Sequence, residues 1–192
     1  MTDLPTECTL YEMENRFTLS NYGKKLWTRD RAREIRSDLL SLLGKSRSGD
    51  SVVVDLSGVE VFDISFASEF FGRTILELPK TYPGRFIIVE DLNDVTRENL
   101  ESAIESLGLL MIERRSEKLF LIGKVHPADK ETFIAIAKAQ KPVTSAELKD
   151  LLKVNLTAMN ERLKKLTELG LVRKEAGVSQ AGREHFEYSI FS

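Results

Sequence analysis

The chain has 192 residues, of which 42% are hydrophobic and 30% charged, and its formal net charge is −2. This composition is typical of folded globular proteins and excludes a chain that is disordered throughout. It contains no apolar run of the roughly 20 residues that a membrane-spanning helix needs, so we expect no membrane partner.

The N-terminal part of the chain is predicted to alternate strands with helices. Residues 8–19 suggest a short hairpin, and Thr28 is expected to cap a helix that Gly44 stops. The run Val-Val-Val-Asp-Leu at residues 52–56 is rich in β-branched residues and predicts a buried strand. Further elements are predicted in the order helix, strand, helix, strand and strand, at residues 65–78, 86–89, 94–107, 109–113 and 118–122. This alternation favours an α/β fold with a mixed sheet and packed helices.

The pattern changes after residues 123–127, where turn residues and a proline interrupt it. From Asp129, which is expected to cap a helix, the order becomes three helices followed by two short strands. We therefore predict two domains, an α/β domain at residues 8–123 and a small α+β domain at residues 129–192. Residues 1–128 hold 17 Lys and Arg against 21 Asp and Glu, and the remainder of the chain holds 11 against 9. This mild positive excess permits nucleic-acid contact in the second domain without requiring it.

Capping signals locate the helices of the second domain. Thr144 and Glu147 have the spacing of a capping box, in which each side chain accepts the backbone N–H of the other residue. Asn155 is expected to cap the longest helix of this domain, and Gly170 is expected to end it in a left-handed conformation. Two later segments are predicted to pair as a hairpin, residues 171–175 and residues 184–191.

A pattern of Asp and Ser residues marks the first domain. A strand that ends in Asp55-Leu-Ser is followed eight residues later by Asp63-Ile-Ser65 at a predicted helix start. Together with the Phe-Ile-Ile-Val strand at residues 86–89, this pattern resembles the STAS domain of anti-sigma factor antagonists, over residues 10–123. The resemblance implies a protein-interaction domain. It also implies that the serine at the position of Ser65 is phosphorylated by a cognate kinase, a histidine-kinase-like ATPase, and that phosphorylation releases the partner.

The Asp63 and Ser65 pair has two interpretations. A phosphate in the first turn of a helix lies beside free backbone N–H groups and the positive end of the helix dipole, and its charge would repel a partner surface. In the antagonists Gly-Leu follows this serine, whereas Phe66 and Ala67 follow Ser65 here. The alternative is that Asp63 and Ser65 only cap the helix.

The second domain resembles the winged helix-turn-helix of bacterial and archaeal regulators, most specifically in the motif LTELGLV at residues 166–172. In that family the helix that leads into this motif is the recognition helix, and the hairpin that follows is the wing. The resemblance implies double-stranded DNA as a partner, and such proteins are often homodimers. Helical spacing places one apolar row on the buried side of this helix, namely Leu156, Met159, Leu163, Leu166 and Leu169.

The residues expected to contact DNA lie on the opposite side of this helix and on the wing. Glu161 and Glu168 also lie on that side of the helix, where phosphates would repel them. A winged helix can instead pack against a partner protein or a second copy. The expected contacts are Thr157, Asn160 and Lys164 in the major groove, and Lys165, Arg173, Lys174 and Arg183 on the phosphates.

Catalytic, metal and cofactor motifs are not found in the sequence. The two histidines, His126 and His185, and the single cysteine, Cys8, do not have the spacing of a metal site. Carboxylates that include Asp55 and Glu90 could line one end of the sheet, but no base or cofactor motif accompanies them. We therefore expect no enzyme activity, no metal and no cofactor.

Two functions stay open. One is a prokaryotic DNA-binding transcriptional regulator whose STAS-like domain receives a signal through protein contact. The other is a partner-switch protein that binds only proteins. In both cases the lone cysteine and the absence of a signal-peptide pattern predict a reducing, cytoplasmic location.

Overall fold

The computed structural model describes residues 15–116, 118–178 and 184–190. The elements of its first half are β1 (Asn15–Thr18), β2 (Lys25–Leu26), α1 (Arg29–Lys45), β3 (Ser51–Asp55), β4 (Val61–Phe62), α2 (Ile64–Ala67), α3 (Arg73–Thr81), β5 (Phe86–Glu90), α4 (Asp94–Ser106), β6 (Met111–Arg115) and β7 (Lys118–Ile122). The second half contains α5 (Pro127–Ala139), β8 (Val143–Thr144), α6 (Ser145–Leu152), α7 (Leu156–Glu168), β9 (Arg173–Val178) and β10 (Glu184–Ser189). None of the helices in the described ranges is both long and apolar enough to cross a membrane.

A five-stranded mixed sheet forms the centre of the first half. Its strand order is β1-β3-β5-β6-β7. The first four strands run parallel, and β7 is antiparallel to β6. The register pairs Val54 with Val89 and Asp55 with Glu90, so two carboxylates end neighbouring strands side by side. The prediction of an α/β fold with a mixed sheet is confirmed.

The two faces of this sheet belong to different hydrophobic clusters, because successive residues of a strand point to opposite sides. Val52 and Val54 pack with α1, α3, α4 and the helical segment around α2. Val53 and Ile88 instead pack with residues of the second half, among them Phe133 of α5. The second half therefore covers the sheet face that the first set of helices leaves open.

An aromatic group fills the core beneath the first helices. A π-helical turn at Ser68–Gly72 joins α2 to α3, so the predicted helix at residues 65–78 is one helical stretch with a wider middle turn. Phe66, Phe70 and Phe71 are all buried in this stretch. Phe66 stacks on Phe70 with ring centroids 5.5 Å apart. The side chain that follows Ser65 therefore points into the core.

The second half has the element order helix, strand, helix, helix, strand, strand. Its three-stranded sheet has the order β8-β10-β9, and both pairings are antiparallel. The pairing of β9 with β10 is the predicted hairpin. The capping box is present, since Thr144 and Glu147 exchange hydrogen bonds. Asn155 caps α7, with its side chain accepting the Ala158 N–H at 2.8 Å.

Three local expectations are corrected, and a fourth is tested only in part. Within the predicted hairpin at residues 8–19, the described residues contain one strand, β1, which is parallel to β3, and residues 8–14 lie outside the described residues. Gly44 does not stop α1, which continues to Lys45. Asp129 does not cap α5; His126 does so. Pro127 begins the helix, because proline is tolerated in the first turn of a helix. Leu156 is 45% exposed although its spacing placed it with the buried row.

The two glycines that were expected to end helices should respond to substitution in opposite directions. Gly170 has φ +70°, and a Cβ there would lie 3.4 Å from Pro79 Cγ. Gly170→Ala should lower the free energy of unfolding by about 1–2 kcal/mol, because an L-residue is strained in this conformation. Gly44 lies inside α1 with only Tyr82 near its would-be Cβ, at 3.9 Å. Gly44→Ala should raise the free energy of unfolding by about 0.5–1 kcal/mol. Urea denaturation measures both, and shifts of the same sign would contradict the assignment of the two backbones.

Candidate functional site

The exposed side of α7 carries most of the residues that the sequence predicted to contact DNA. Met159, Leu163 and Leu166 are buried beneath the helix. Thr157, Asn160 and Lys164 are exposed on its other side, together with Glu161 and Glu168. The Lys164 Nζ lies 3.8 Å from a Glu168 carboxylate oxygen, one helical turn away. Cations and carboxylates are therefore mixed on this surface, and a salt-screened pair of this kind holds Lys164 only weakly.

Two basic residues of α7 have structural partners. The Lys165 ammonium lies 2.5 Å from Asp129 Oδ2, and the Asp129 side chain is buried. Arg162 reaches the Thr132 hydroxyl of α5 at 3.4 Å and Glu131 at 3.7 Å. Both contacts fix α7 against α5. Lys165 therefore joins two helices as well as facing solvent.

The hairpin residues predicted to bind phosphates lie in different surroundings. The Arg173 guanidinium is paired with Glu175 on the same strand. The Lys174 ammonium lies 3.7 Å from the centre of the Phe186 ring, a cation–π contact across the hairpin. Arg183 lies outside the described residues.

The start of α2 has Asp63 as its cap and Ser65 on its surface. Asp63 Oδ1 accepts the Phe66 N–H at 2.6 Å, and Asp63 Oδ2 accepts the Thr28 N–H at 3.5 Å. Ser65 is exposed, and its hydroxyl makes no hydrogen bond with any residue that the structure describes. Of the two residues expected to cap the helix, only Asp63 does so.

Two large apolar side chains are exposed on the segment that contains Ser65 and on the segment paired with it. Trp27 and Ile64 are each 46% exposed. Their backbones are neighbours, since Leu26 O accepts the Asp63 N–H at 3.2 Å and β2 pairs with β4. Ser65 follows Ile64 directly, so an exposed hydroxyl and exposed apolar side chains occur on adjoining segments, and a protein-contact surface can contain such groups.

A row of four charged residues crosses the sheet near the carboxyl ends of its strands. Arg16 Nη1 lies 3.0 Å from Asp55, and Arg16 Nη2 lies 2.9 Å from Glu90. Glu90 is also paired with Arg114 of β6. The two carboxylates are therefore flanked by a guanidinium on each side. A row in which every charge has a partner is a structural feature of the sheet.

The environment of Asp55 favours its charged form. Burial raises the pKa of this carboxyl, but hydrogen bonds from Ser57 and the Arg16 guanidinium outweigh burial and hold the pKa below its ordinary value. The Ser57 N–H donates to Asp55 Oδ1 at 2.8 Å. A carboxyl that stays ionised and paired in this way is poorly suited to act as a general acid or base near neutral pH.

The Asp55 and Glu90 carboxylates could be identified from the sequence, but their arginine partners could not. Arg16 and Arg114 come from the two strands that flank the pair, and nothing in their local sequence marks them. A second group was also missed, in which Arg97 of α4 and Arg115 of β6 both contact Glu113. Among residues 15–116, 118–178 and 184–190, no group of three His, Cys, Asp or Glu side chains is placed to hold a metal ion.

Residues 31–96 match the family described as a STAS-like domain of unknown function (DUF4325). No curated protein matches the sequence. Among solved structures, a chain described as a possible transcriptional regulator from Methanosarcina mazei Go1 is similar with a TM-score of 0.33 and 17% identity, over 42% of this chain and 74% of that one. Residues 31–96 run from α1 into α4 and include β3 and β5 of the central sheet. This segment is therefore STAS-like in sequence, and the mixed sheet with packed helices agrees with that match.

Proposed function

We propose that this protein is a DNA-binding transcriptional regulator that acts by binding rather than by catalysis. In this proposal the second half is a winged helix-turn-helix, and the STAS-like part receives a signal through contact with a partner protein. A homodimer would present two copies of α7 to a DNA site with two half-sites.

One arrangement carries the proposal. Two helices, α6 and α7, are joined by the short turn at residues 153–155, and a hairpin follows α7 directly. One side of α7 buries an apolar row, and the opposite side exposes Thr157, Asn160 and Lys164. A recognition helix packs one side against the core of its domain and presents polar side chains on the other side. These side chains can then reach base edges in the major groove of DNA.

The direct test is selection of full-length protein on a random duplex library, followed by affinity measurements on the enriched duplex. Asn160→Ala combined with Lys164→Glu should weaken binding by roughly 10-fold or more, because one base contact and one favourable charge are lost. Affinity should also fall steeply as salt rises. Lys165 is left intact, since a carboxylate there would face buried Asp129.

Lys80→Glu is the matched control. Lys80 is an exposed residue of α3 that makes no ion pair with any other described residue, and its substitution changes the net charge as Lys164→Glu does. It should bind the enriched duplex as the wild type does. No enrichment with the wild type at low salt, or equal weakening by the control, would contradict DNA binding by α7.

The second candidate, a partner switch that binds only proteins, is favoured by the surface around Ser65. That surface combines exposed Trp27 and Ile64 with an unbonded hydroxyl. A phosphate on Ser65 would bring a charge of about −1.5 to −2 into an apolar contact, which would oppose docking. The mixed charges on α7 also suit a protein partner better than they suit a polyanion.

Three variants test this candidate. Ser65→Ala should leave the free energy of unfolding within about 0.5 kcal/mol of the wild type, because Ser65 does not cap α2. Asp63→Ala should lower it by about 0.5–2 kcal/mol through the lost cap. In a switch, Ser65→Asp loses a protein that the wild type and Ser65→Ala both retain on affinity capture. Retention of the same protein by Ser65→Asp would exclude the switch and leave the regulator.

A further inference from the structure

A groove with a volume of about 1050 Å³ lies between the central sheet and the second half. Its walls come from β7, from α5 and from the parts of β9 and β10 farthest from the hairpin tip. It is distinct from the exposed side of α7, none of whose residues lines it. Of the described residues expected to contact DNA, only Arg173 lines it, and the rest of the groove has no part in either proposed function.

The base of the groove is apolar. Leu119 and Leu121 of β7 and Ile134 and Ala137 of α5 line it. All four are only partly buried, and they pack against the second hydrophobic cluster. Each therefore leaves apolar surface facing the groove. Removing such surface from water is the main driving force for binding an apolar group.

The rim of the groove is strongly basic. Four lysines line it, Lys118, Lys130, Lys138 and Lys141, and all four are exposed. None of them makes an ion pair with another residue of the described chain, although Lys141 lies near enough to the carboxylate of Glu147 to interact with it electrostatically. Two arginines also line the groove, each already paired with a carboxylate, and Glu175 is the one acidic residue among the described lining residues.

We propose that this groove binds a small organic anion, a molecule with an apolar body and a carboxylate, sulfonate or phosphate group. The volume of about 1050 Å³ lies just above the roughly 300–1000 Å³ that is typical of a pocket for one small molecule, so such a ligand fits with room for water at the mouth. The apolar base accepts the body of the ligand, and the unpaired lysines attract its charge. Flexible ammonium groups accept an anion in many geometries, which suits a ligand whose charge lies at the mouth of the groove.

The same contacts indicate what the ligand would do to the protein. Its body would touch β7 of the central sheet and α5 of the second half at once. A ligand that binds the folded protein but not the unfolded chain stabilises the folded state by mass action. The anion would therefore strengthen the packing of the second half on the sheet, whether or not the protein binds DNA.

The test uses two fluorescent probes that differ by one charged group. 8-Anilinonaphthalene-1-sulfonate has an apolar body and a sulfonate, and N-phenyl-1-naphthylamine has the same body without the charge. With full-length protein, the sulfonate probe should bind saturably at one site per chain, raise the melting temperature, and bind more tightly than the neutral probe. Sodium decanoate should displace it.

Two variants locate the site. Lys130→Gln combined with Lys141→Gln should weaken binding of the sulfonate probe by roughly 2- to 25-fold, as expected for two exposed ion pairs, and should leave the neutral probe unaffected. Ala137→Trp fills the base and should weaken both probes. Lys24→Gln combined with Lys80→Gln removes the same charge at exposed positions outside the groove and should change neither.

Three results would overturn the proposal. One is equal affinity for both probes. Another is equal weakening by the groove variant and the distant control. The third is displacement of the sulfonate probe by a poly-glutamate peptide but not by decanoate, which would identify an acidic protein as the occupant. A circular dichroism spectrum and a thermal melt of each variant distinguish a lost site from a lost fold.

Discussion

Phe133→Ala is expected to lower the free energy of unfolding by about 3–5 kcal/mol, the largest effect among these predictions. Phe133 is fully buried in α5. It belongs to the hydrophobic cluster that also contains Val53 and Ile88 of the central sheet. Its removal leaves a cavity bounded by both halves of the chain, so both lose packing contacts.

The same variant tests whether the two halves unfold together. Because Phe133 packs in a cluster shared with the sheet, the wild type should melt in one transition, and Phe133→Ala should shift that whole transition. Phe186→Ala is the matched control, since Phe186 is in the same half and 52% exposed. This variant should lower the free energy of unfolding by less than about 1 kcal/mol, mainly because the cation–π contact of Phe186 with Lys174 is lost. Two transitions, of which only one moves, would mean that the predicted domains at residues 8–123 and 129–192 are stable separately.

The second large effect is expected at the buried carboxylate of Glu113. Its side chain is 1% exposed, and Arg97 Nη1 contacts both of its oxygens, at 2.5 and 2.6 Å. Arg97→Met should lower the free energy of unfolding by about 3 kcal/mol, because a buried charge loses the partner that contacts both of its oxygens. The value is at the low end of the usual range since Arg115 still contacts Glu113, also at 2.5 Å.

A double variant distinguishes two quantities: the destabilisation that an unpaired buried charge causes, and the net contribution of the intact ion pair to stability. Arg97→Met combined with Glu113→Leu should recover most of the lost stability, since an apolar pair of similar size needs no charge compensation. Arg47→Met is the control, because Arg47 is exposed and lies 4.0 Å from Asp50. It should stay within about 0.5 kcal/mol of the wild type. Urea denaturation of all four proteins gives the comparison, and a double variant as unstable as Arg97→Met would refute the argument.

Local features of the fold could be predicted from the sequence because the residues that cause them are close together along the chain. Thr28 caps α1 by accepting the Arg31 N–H, and Asn155 caps α7 in the same way. The capping box of Thr144 and Glu147 also lies within one turn. In the STAS-like part, the buried strands at β3 and β5 followed from runs of β-branched and aromatic residues.

Features that join distant segments could not be predicted in this way. The expected DNA contacts on α7 were assigned from the sequence of that helix alone. Lys165, however, also donates a hydrogen bond to Asp129 of α5, 36 positions earlier. Spacing alone placed Leu156 in the buried row because periodicity does not report how far the neighbouring helices extend. The winged-helix assignment and the DNA contacts stay predictions.

By itself, then, the sequence determined the caps, the apolar periodicity of the helices and the alternation that produces an α/β sheet, since each depends on residues a few positions apart. Only the tertiary structure decided the strand order, and with it the row in which Arg16 meets Asp55 and Glu90. It also decided that Val53 faces the second half while Val52 faces the first helices. The groove with its basic rim arises in the same way, from β7, α5 and the hairpin together. These features depend on register and packing between segments tens of residues apart, which no local pattern specifies.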